Sequence, residues 1–151
     1  MIIYADTTFL IGLYVAIDTH SLAALREWKR LDCPPLLYTP LHRLEVRNAV
    51  RQFEFTGDLK SPKVKEVLRC INDDLADSTL VHQGFDWTDT LRHAERVGAA
   101  HTRRTGVRAM DLFHVAVALE VKAELFLTFD DRQFATAKAA GLSAVFPKHS
   151  R

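Results

Sequence analysis

Short apolar runs alternate along this chain with longer stretches of helical spacing. Residues 2–5, 36–39, 79–81, 125–128 and 144–146 read as brief buried strands. Between them, Val46, Ala49, Val50 and Phe53 recur at i, i+3, i+4 and i+7, one apolar stripe of a helix, with Arg43, Arg47 and Arg51 on its outer side. Residues 86–104 form a long predicted helix, opened by Asp86 as N-cap and closed near Gly106. Residues 112–119 are apolar all round except for His114, the signature of a central, buried helix. Glycine and proline fall between these segments, at Pro34-Pro35, Pro40, Gly57, Pro62, Gly84, Gly106, Gly141 and Pro147. Strands alternating with helices predict an α/β fold. It is a three-layer sandwich with helices on both faces of a central, mostly parallel sheet of about five short strands.

Length and composition narrow the class. The 151 residues suit a single domain, 1–151, and 48% hydrophobic content is enough for a core without disulfides or metal clips. Twenty Lys and Arg against nineteen Asp and Glu leave a net charge of +1, which excludes a polybasic binder held by bulk charge. Cys33 and Cys70 are far apart with no CxxC spacing, so neither a disulfide framework nor a thiolate zinc site is expected, and a reducing cytoplasm fits. The apolar run 9–17 follows Asp6, has no basic segment ahead of it, and is short of the roughly 20 residues of a membrane span. A soluble cytoplasmic protein with no membrane contact is expected.

Four acids fall where an α/β sheet gathers its chemistry, beyond the carboxyl ends of the strands. Asp6 directly follows the first strand and Asp130 follows the fourth. Glu45 lies in the helix after the second strand, and Asp111 begins the apolar helix. Each has a plain structural role open to it. Asp6, Asp111 and Asp130 can cap helices, and Glu45 can be an ordinary surface residue. Convergence of all four on one rim is harder to explain that way. Two carboxylates ~5 Å apart repel by about 3 kcal/mol at an effective dielectric near 20. A bound cation or a retained proton removes that cost. An all-oxygen donor set selects a hard ion, Mg²⁺ or Mn²⁺. Such an ion suits hydrolysis of a phosphodiester by activated water. No GxSxG, GxxxxGK[ST], HExxH or GxGxxG motif competes.

These stretches resemble a known family. Residues 2–11, IIYADTTFLI, resemble the strand–Asp–helix opening of the PIN-domain ribonucleases, specifically the toxins of VapBC-type bacterial toxin–antitoxin modules. Residues 44–49, LEVRNA, are similar to the second acidic motif. Residues 108–119 resemble the third, with His114 three positions after Asp111, and residues 127–134, LTFDDRQF, the fourth. The resemblance runs in order over essentially the whole chain. It implies a PIN-like sandwich and a metal-dependent endoribonuclease that hydrolyses RNA. It further implies that Asp6, Glu45, Asp111 and Asp130 hold Mg²⁺ or Mn²⁺, and that Thr8, Asn48 and Thr128 orient the ligands or metal-bound water. Asp131 stands beside Asp130 and can exchange roles with it. A cognate VapB-like antitoxin and a homodimer are implied by the same resemblance.

Other signals are weaker. Arg103, Arg104 and Arg108 lead into Asp111 and offer charge-assisted contacts to RNA phosphates, or simply a solvated helix end. His42 reads as an exposed helix residue and His114 as a core histidine bonded to backbone. Asp73, Asp74 and Asp77 read as a solvated helix terminus. Three other functions are open to such a chain: a PIN-like nuclease of RNA processing outside a toxin–antitoxin module, a Mg-binding receiver-like signalling domain, and a binding module without catalysis. The receiver reading lacks an Asp after residues 79–81 and a Lys after residues 125–128.

Overall fold

In the computed structural model, which describes residues 1–148, the elements run in this order: β1 (Ile3–Ala5), α1 (Thr7–Tyr14), α2 (Ser21–Arg30), β2 (Leu36–Tyr38), α3 (Pro40–Phe55), α4 (Ser61–Ala76), β3 (Leu80–His82), α5 (Trp87–Thr105), α6 (Ala109–Glu120), β4 (Leu125–Leu127), α7 (Asp131–Ala139) and β5 (Ala144–Val145). Every predicted strand is there, trimmed to two or three residues, and every pairing is parallel. Positions 149–151 of the expected 1–151 domain lie outside the described residues.

The expected single sheet is divided. β1, β4 and β5 form one ladder, with β4 in the middle, and β2 with β3 form another. β2 still runs beside β1. Along this seam the imidazole of His42 packs on both Tyr4 and Tyr38, with ring centroids 4.8 and 5.9 Å away.

The two-residue period of the strands assigns the two faces. Ile3, Ala5, Leu125 and Leu127 enter one core with Phe9, Leu10, Val46, Val50, Val67 and Ile71 from α1, α3 and α4. Tyr4 and Phe126 enter the other, with Phe113 and Val117 of α6, Val97 of α5 and Ala137 of α7. Strands buried on both faces need continuous apolar runs, which explains why no polar alternation marks them in the sequence.

Local signals set the helix ends. Asp86 caps α5 by accepting a hydrogen bond from the Asp89 amide at 2.8 Å, and Gly106 closes it at φ 66°, a left-handed turn that glycine adopts without strain. Pro40 stands at the first position of α3 behind Thr39, whose hydroxyl accepts from the His42 amide. One expectation for α3 fails. Arg43 and Arg51 are exposed, but Arg47 turns toward α4, where its Nη2 donates to Asn72 Oδ1 at 2.6 Å. The α3 surface at that point is a helix–helix contact rather than a free outer row. Cys33 and Cys70 are free thiols. Among the described residues no helix is long and apolar enough to cross a membrane.

Candidate functional site

Asp6 leaves β1 in extended conformation and caps α1, its Oδ1 accepting from the Phe9 amide at 2.9 Å. The Thr8 hydroxyl reaches back to the same carboxylate, 2.7 Å from Oδ1 and 2.9 Å from Oδ2, and Thr128 Oγ1 donates to Oδ2 at 2.8 Å from the end of β4. The residue is only 1% exposed. Burial pushes its carboxyl up to about 6, against the lowering pull of His114 and the hydrogen bonds from Phe9, Thr8 and Thr128. Among the described residues no lysine or arginine pairs with it.

Asp130 repeats the motif one strand away. It caps α7, accepting from the Gln133 amide at 2.7 Å, while its own amide donates to Thr128 Oγ1 at 2.9 Å. Thr128 therefore bridges the two aspartates. The Phe129 amide donates to Thr8 Oγ1 at 2.9 Å and the Asp6 amide donates to the Leu127 carbonyl at 2.9 Å, which closes the join between the two junctions. Asp111, in the first turn of α6, connects through Gln133, whose Nε2 lies 3.3 Å from Asp111 Oδ1.

Glu45 points the other way, into the protein. Its Oε2 is bonded to His114 Nε2 and accepts from Thr7 Oγ1 at 3.0 Å. Tyr4 OH lies 2.7 Å from His114 Nδ1. Burial raises the Glu45 carboxyl, but the hydrogen bond and charge of His114, together with the Thr7 bond, outweigh it and leave the group below the usual range. Burial pushes the Tyr4 phenol up and holds the His42 imidazole well down, so His42 is neutral.

The side chains correct several expectations. A closed cage of four carboxylates is not formed: among the described residues no three His, Cys, Asp or Glu stand where they could hold a metal together. The reason is competition. Glu45 is held by His114 and Thr7, and Asp111 by Gln133 and by Arg108, whose Nε is 3.2 Å from Oδ2. What is brought together is a hydrogen-bonded rim, Asp6–Thr128–Asp130–Gln133–Asp111, with Glu45 joined through Thr7 beside Asp6. Its donors fit a hard cation in kind, since all are oxygens. Asn48 and Asp131 are exposed and make no hydrogen bond with this rim. His42 is completely buried, where an exposed position was expected, because its Nδ1 accepts the Thr39 amide at 3.0 Å in a capping box. His114 is buried as expected, though its partners are Tyr4, Thr7 and Glu45 side chains instead of backbone. Asp74 is not merely solvated, since it accepts the Tyr14 hydroxyl.

Thr7, Gln133, Tyr4 and Arg132 were missed. Gln133 stands three residues after Asp130, the position its cap addresses, and that spacing is a sequence signal; Thr7 is marked only by standing next to Asp6. Nothing local points to Tyr4, a strand residue whose partner His114 lies on α6. Arg108 and Arg132 flank a cleft of about 380 Å³ with Phe129, Asp130 and Asp131 on its walls. Arg103 and Arg104 are exposed in the last turn of α5, and neither lines that cleft.

Comparison with known proteins agrees with this architecture. The crystal structure of VapC20 from Mycobacterium tuberculosis, described as a sarcin–ricin loop cleaving toxin, superposes with a TM-score of 0.68 at 18% identity, covering 96% of this chain and 99% of that one. FitAcB from Neisseria gonorrhoeae gives 0.63 at 17% identity, covering 95% and 96%. At such identities the likeness is one of fold. Curated protein sequences give no match. The PIN domain family matches residues 3–139, nearly the whole chain, and the chain belongs to that family.

Proposed function

We propose that this PIN-domain protein is a metal-dependent endoribonuclease, the toxin of a type II toxin–antitoxin module. The observation that carries the reading is Asp6: a buried carboxylate at the end of a central strand, gripped by three donors and matched, among the described residues, by no lysine or arginine. Burying an unpaired carboxylate costs stability, and proteins keep such a group where its charge is used. Family membership supports a nuclease, and the likeness to VapC20, a toxin that cleaves an RNA loop, supports RNA as the substrate and toxicity as the role. A cognate antitoxin and a homodimer belong to the same reading.

Mg²⁺ or Mn²⁺ would be held first by Asp6 and Asp130, which share Thr128, and Asp111 and Glu45 would join them only on exchanging Arg108 and His114 for the ion. Such an ion, when bound, lowers the pKa of water and neutralises charge on phosphoryl oxygens. The protein's own residues prepare the site. Thr8 and Thr128 fix both oxygens of Asp6, and His114 with Thr7 holds Glu45 by Oε2. Arg108 and Arg132 offer guanidinium groups to the flanking phosphates beside Asp130. Asn48 and Asp131 stand at the margin of the rim and keep at most a supporting part, as do Arg103 and Arg104 in RNA contact.

The test is cleavage of labelled RNA by the parent and by Asp6→Asn, each with Mg²⁺, with Mn²⁺ and with chelator. Parental cleavage that needs the metal and is lost in Asp6→Asn supports the reading. Equal cleavage by the two proteins, or cleavage indifferent to chelator, refutes it.

A further inference from the structure

A cavity of about 510 Å³ opens beside the acidic rim, between α1, the turn before α2 and the end of α3. Its size falls within the range of about 300–1,000 Å³ typical of small-molecule sites. Thr7 and Thr8 form the edge nearest the rim, and the same two hydroxyls bond Glu45 and Asp6. A group seated there is therefore adjacent to the proposed scissile phosphodiester.

The walls have a definite chemistry. Ile11, Ala49 and Phe53 supply an apolar side, whereas Asp18, Gln52 and Asp58 supply acceptors and one amide. Among the described residues no lysine or arginine lines the cavity, and two carboxylates do, which disfavours a phosphate there. The contrast with the neighbouring cleft is direct, since that cleft carries Arg108 and Arg132. Phe129 stands between the two: its ring lines the arginine cleft and stacks on the imidazole of His20 at 4.2 Å, and His20 lines the larger cavity. One side of the rim thus suits the sugar–phosphate backbone. The other suits a flat, partly apolar group bearing N–H donors.

We propose that this cavity receives an unpaired nucleobase of the RNA substrate, and that Asp58 selects bases with an exocyclic amino group over uracil. The inference rests on the ribonuclease reading for its ligand class. Recognition of RNA sequence commonly works this way, by splaying a base into a protein pocket and hydrogen-bonding its edge. Asp58 keeps its place through the Thr56 hydroxyl, 2.5 Å from Oδ2, and Asp18 through the His20 amide at 2.8 Å. A carboxylate accepts from the amino group of adenine or cytosine, whereas at the position of that amino group uracil presents the O4 acceptor.

The experiment measures fluorescence anisotropy of short labelled oligoadenylate, oligocytidylate and oligouridylate on the cleavage-disabled Asp6→Asn protein in Mg²⁺. The same titrations are repeated after adding Asp58→Asn, at an exposed position. Adenylate and cytidylate should bind roughly five- to tenfold more tightly than uridylate, the scale of one net hydrogen bond. Asp58→Asn should bring the ratio to within about twofold, because an amide can also donate to uracil. The ratio is the readout, since removing a negative charge tightens all three RNAs alike. Equal binding of the three RNAs, or a ratio untouched by Asp58→Asn, overturns the base pocket. Cleavage by the parental protein is scored separately. Base-dependent binding with no parental cleavage sinks the ribonuclease reading and leaves the pocket, and cleavage with a flat ratio does the reverse.

Discussion

The β1–α1 and β4–α7 junctions are built to one local plan. A strand of three residues ends, an aspartate follows after zero or two further residues, and its side chain caps the next helix through the amide three positions on. The strands are parallel neighbours, so the two caps lie side by side and share Thr128. Their surroundings differ. Asp6 is sealed under Thr8, Thr128 and Phe9, whereas Asp130 is half-buried at the wall of an open cleft. A cap at the surface is a stability device and little else. The same cap sealed in low dielectric becomes a stored electrostatic cost, and hence a group poised for a cation or a proton.

The comparison is broken most decisively at Asp6. Asp6→Asn should lower RNA cleavage about 100-fold or more while the protein stays folded. Gel assays beside a circular dichroism melt measure both, and retention of parental cleavage would move the chemistry to the Asp130 side.

The pH dependence comes next. The folded Asp6 carboxyl titrates near about 6 and the unfolded one near 3.8. The folded state therefore binds its proton more tightly. This group's penalty is absent below pH 4, grows between pH 4 and pH 6, and is complete above. The full shift corresponds to about 3 kcal/mol. In chelator, Asp6→Asn should accordingly be more stable than the parent at pH 8, with the advantage shrinking toward pH 4, as read by urea midpoints. An advantage constant with pH would show that burial of the charge is not its source.

Thr128→Val removes the donor to Asp6 and the acceptor for the Asp130 amide in one step. It should cost about 1–3 kcal/mol in the same urea titration, the cost of leaving buried groups unpaired. A neutral result would mean the two junctions are energetically independent. Asp130→Ala loses only a cap and should cost about 1 kcal/mol. The smallest effect belongs to Arg108→Ala. Its ion pair with Asp111 is exposed on the arginine side and should change stability by less than about 1 kcal/mol, while weakening RNA binding in a salt-dependent way. A large loss of stability there would make the arginine a structural tether of Asp111.

The site was legible in parts, and the parts share a reason. Asp6 and Asp130 stand out because a strand end followed by a helix cap is a local pattern. Gly106 and Asp86 were readable on the same terms. Glu45 was placed on its helix but not in its surroundings: nothing near residue 45 reveals His114, on another helix, or Tyr4 behind it. The burial of His42 and the inward turn of Arg47 escaped for the same reason, since both depend on which helix packs alongside. The break between β1 and β2 was also invisible, because apolar runs specify strands without specifying which ladders they join.

The chain alone determined the alternation of strand and helix, the two-sided burial of the strands and the caps that end them, all set by interactions spanning a few residues. Tertiary packing decided how deeply Asp6 is desolvated, that Glu45 turns to His114 and Asp111 to Arg108, and that an acid-walled cavity opens beside an arginine cleft. Charge placement, desolvation and cavity shape are properties of groups brought together from distant segments, and only the folded chain fixes those distances.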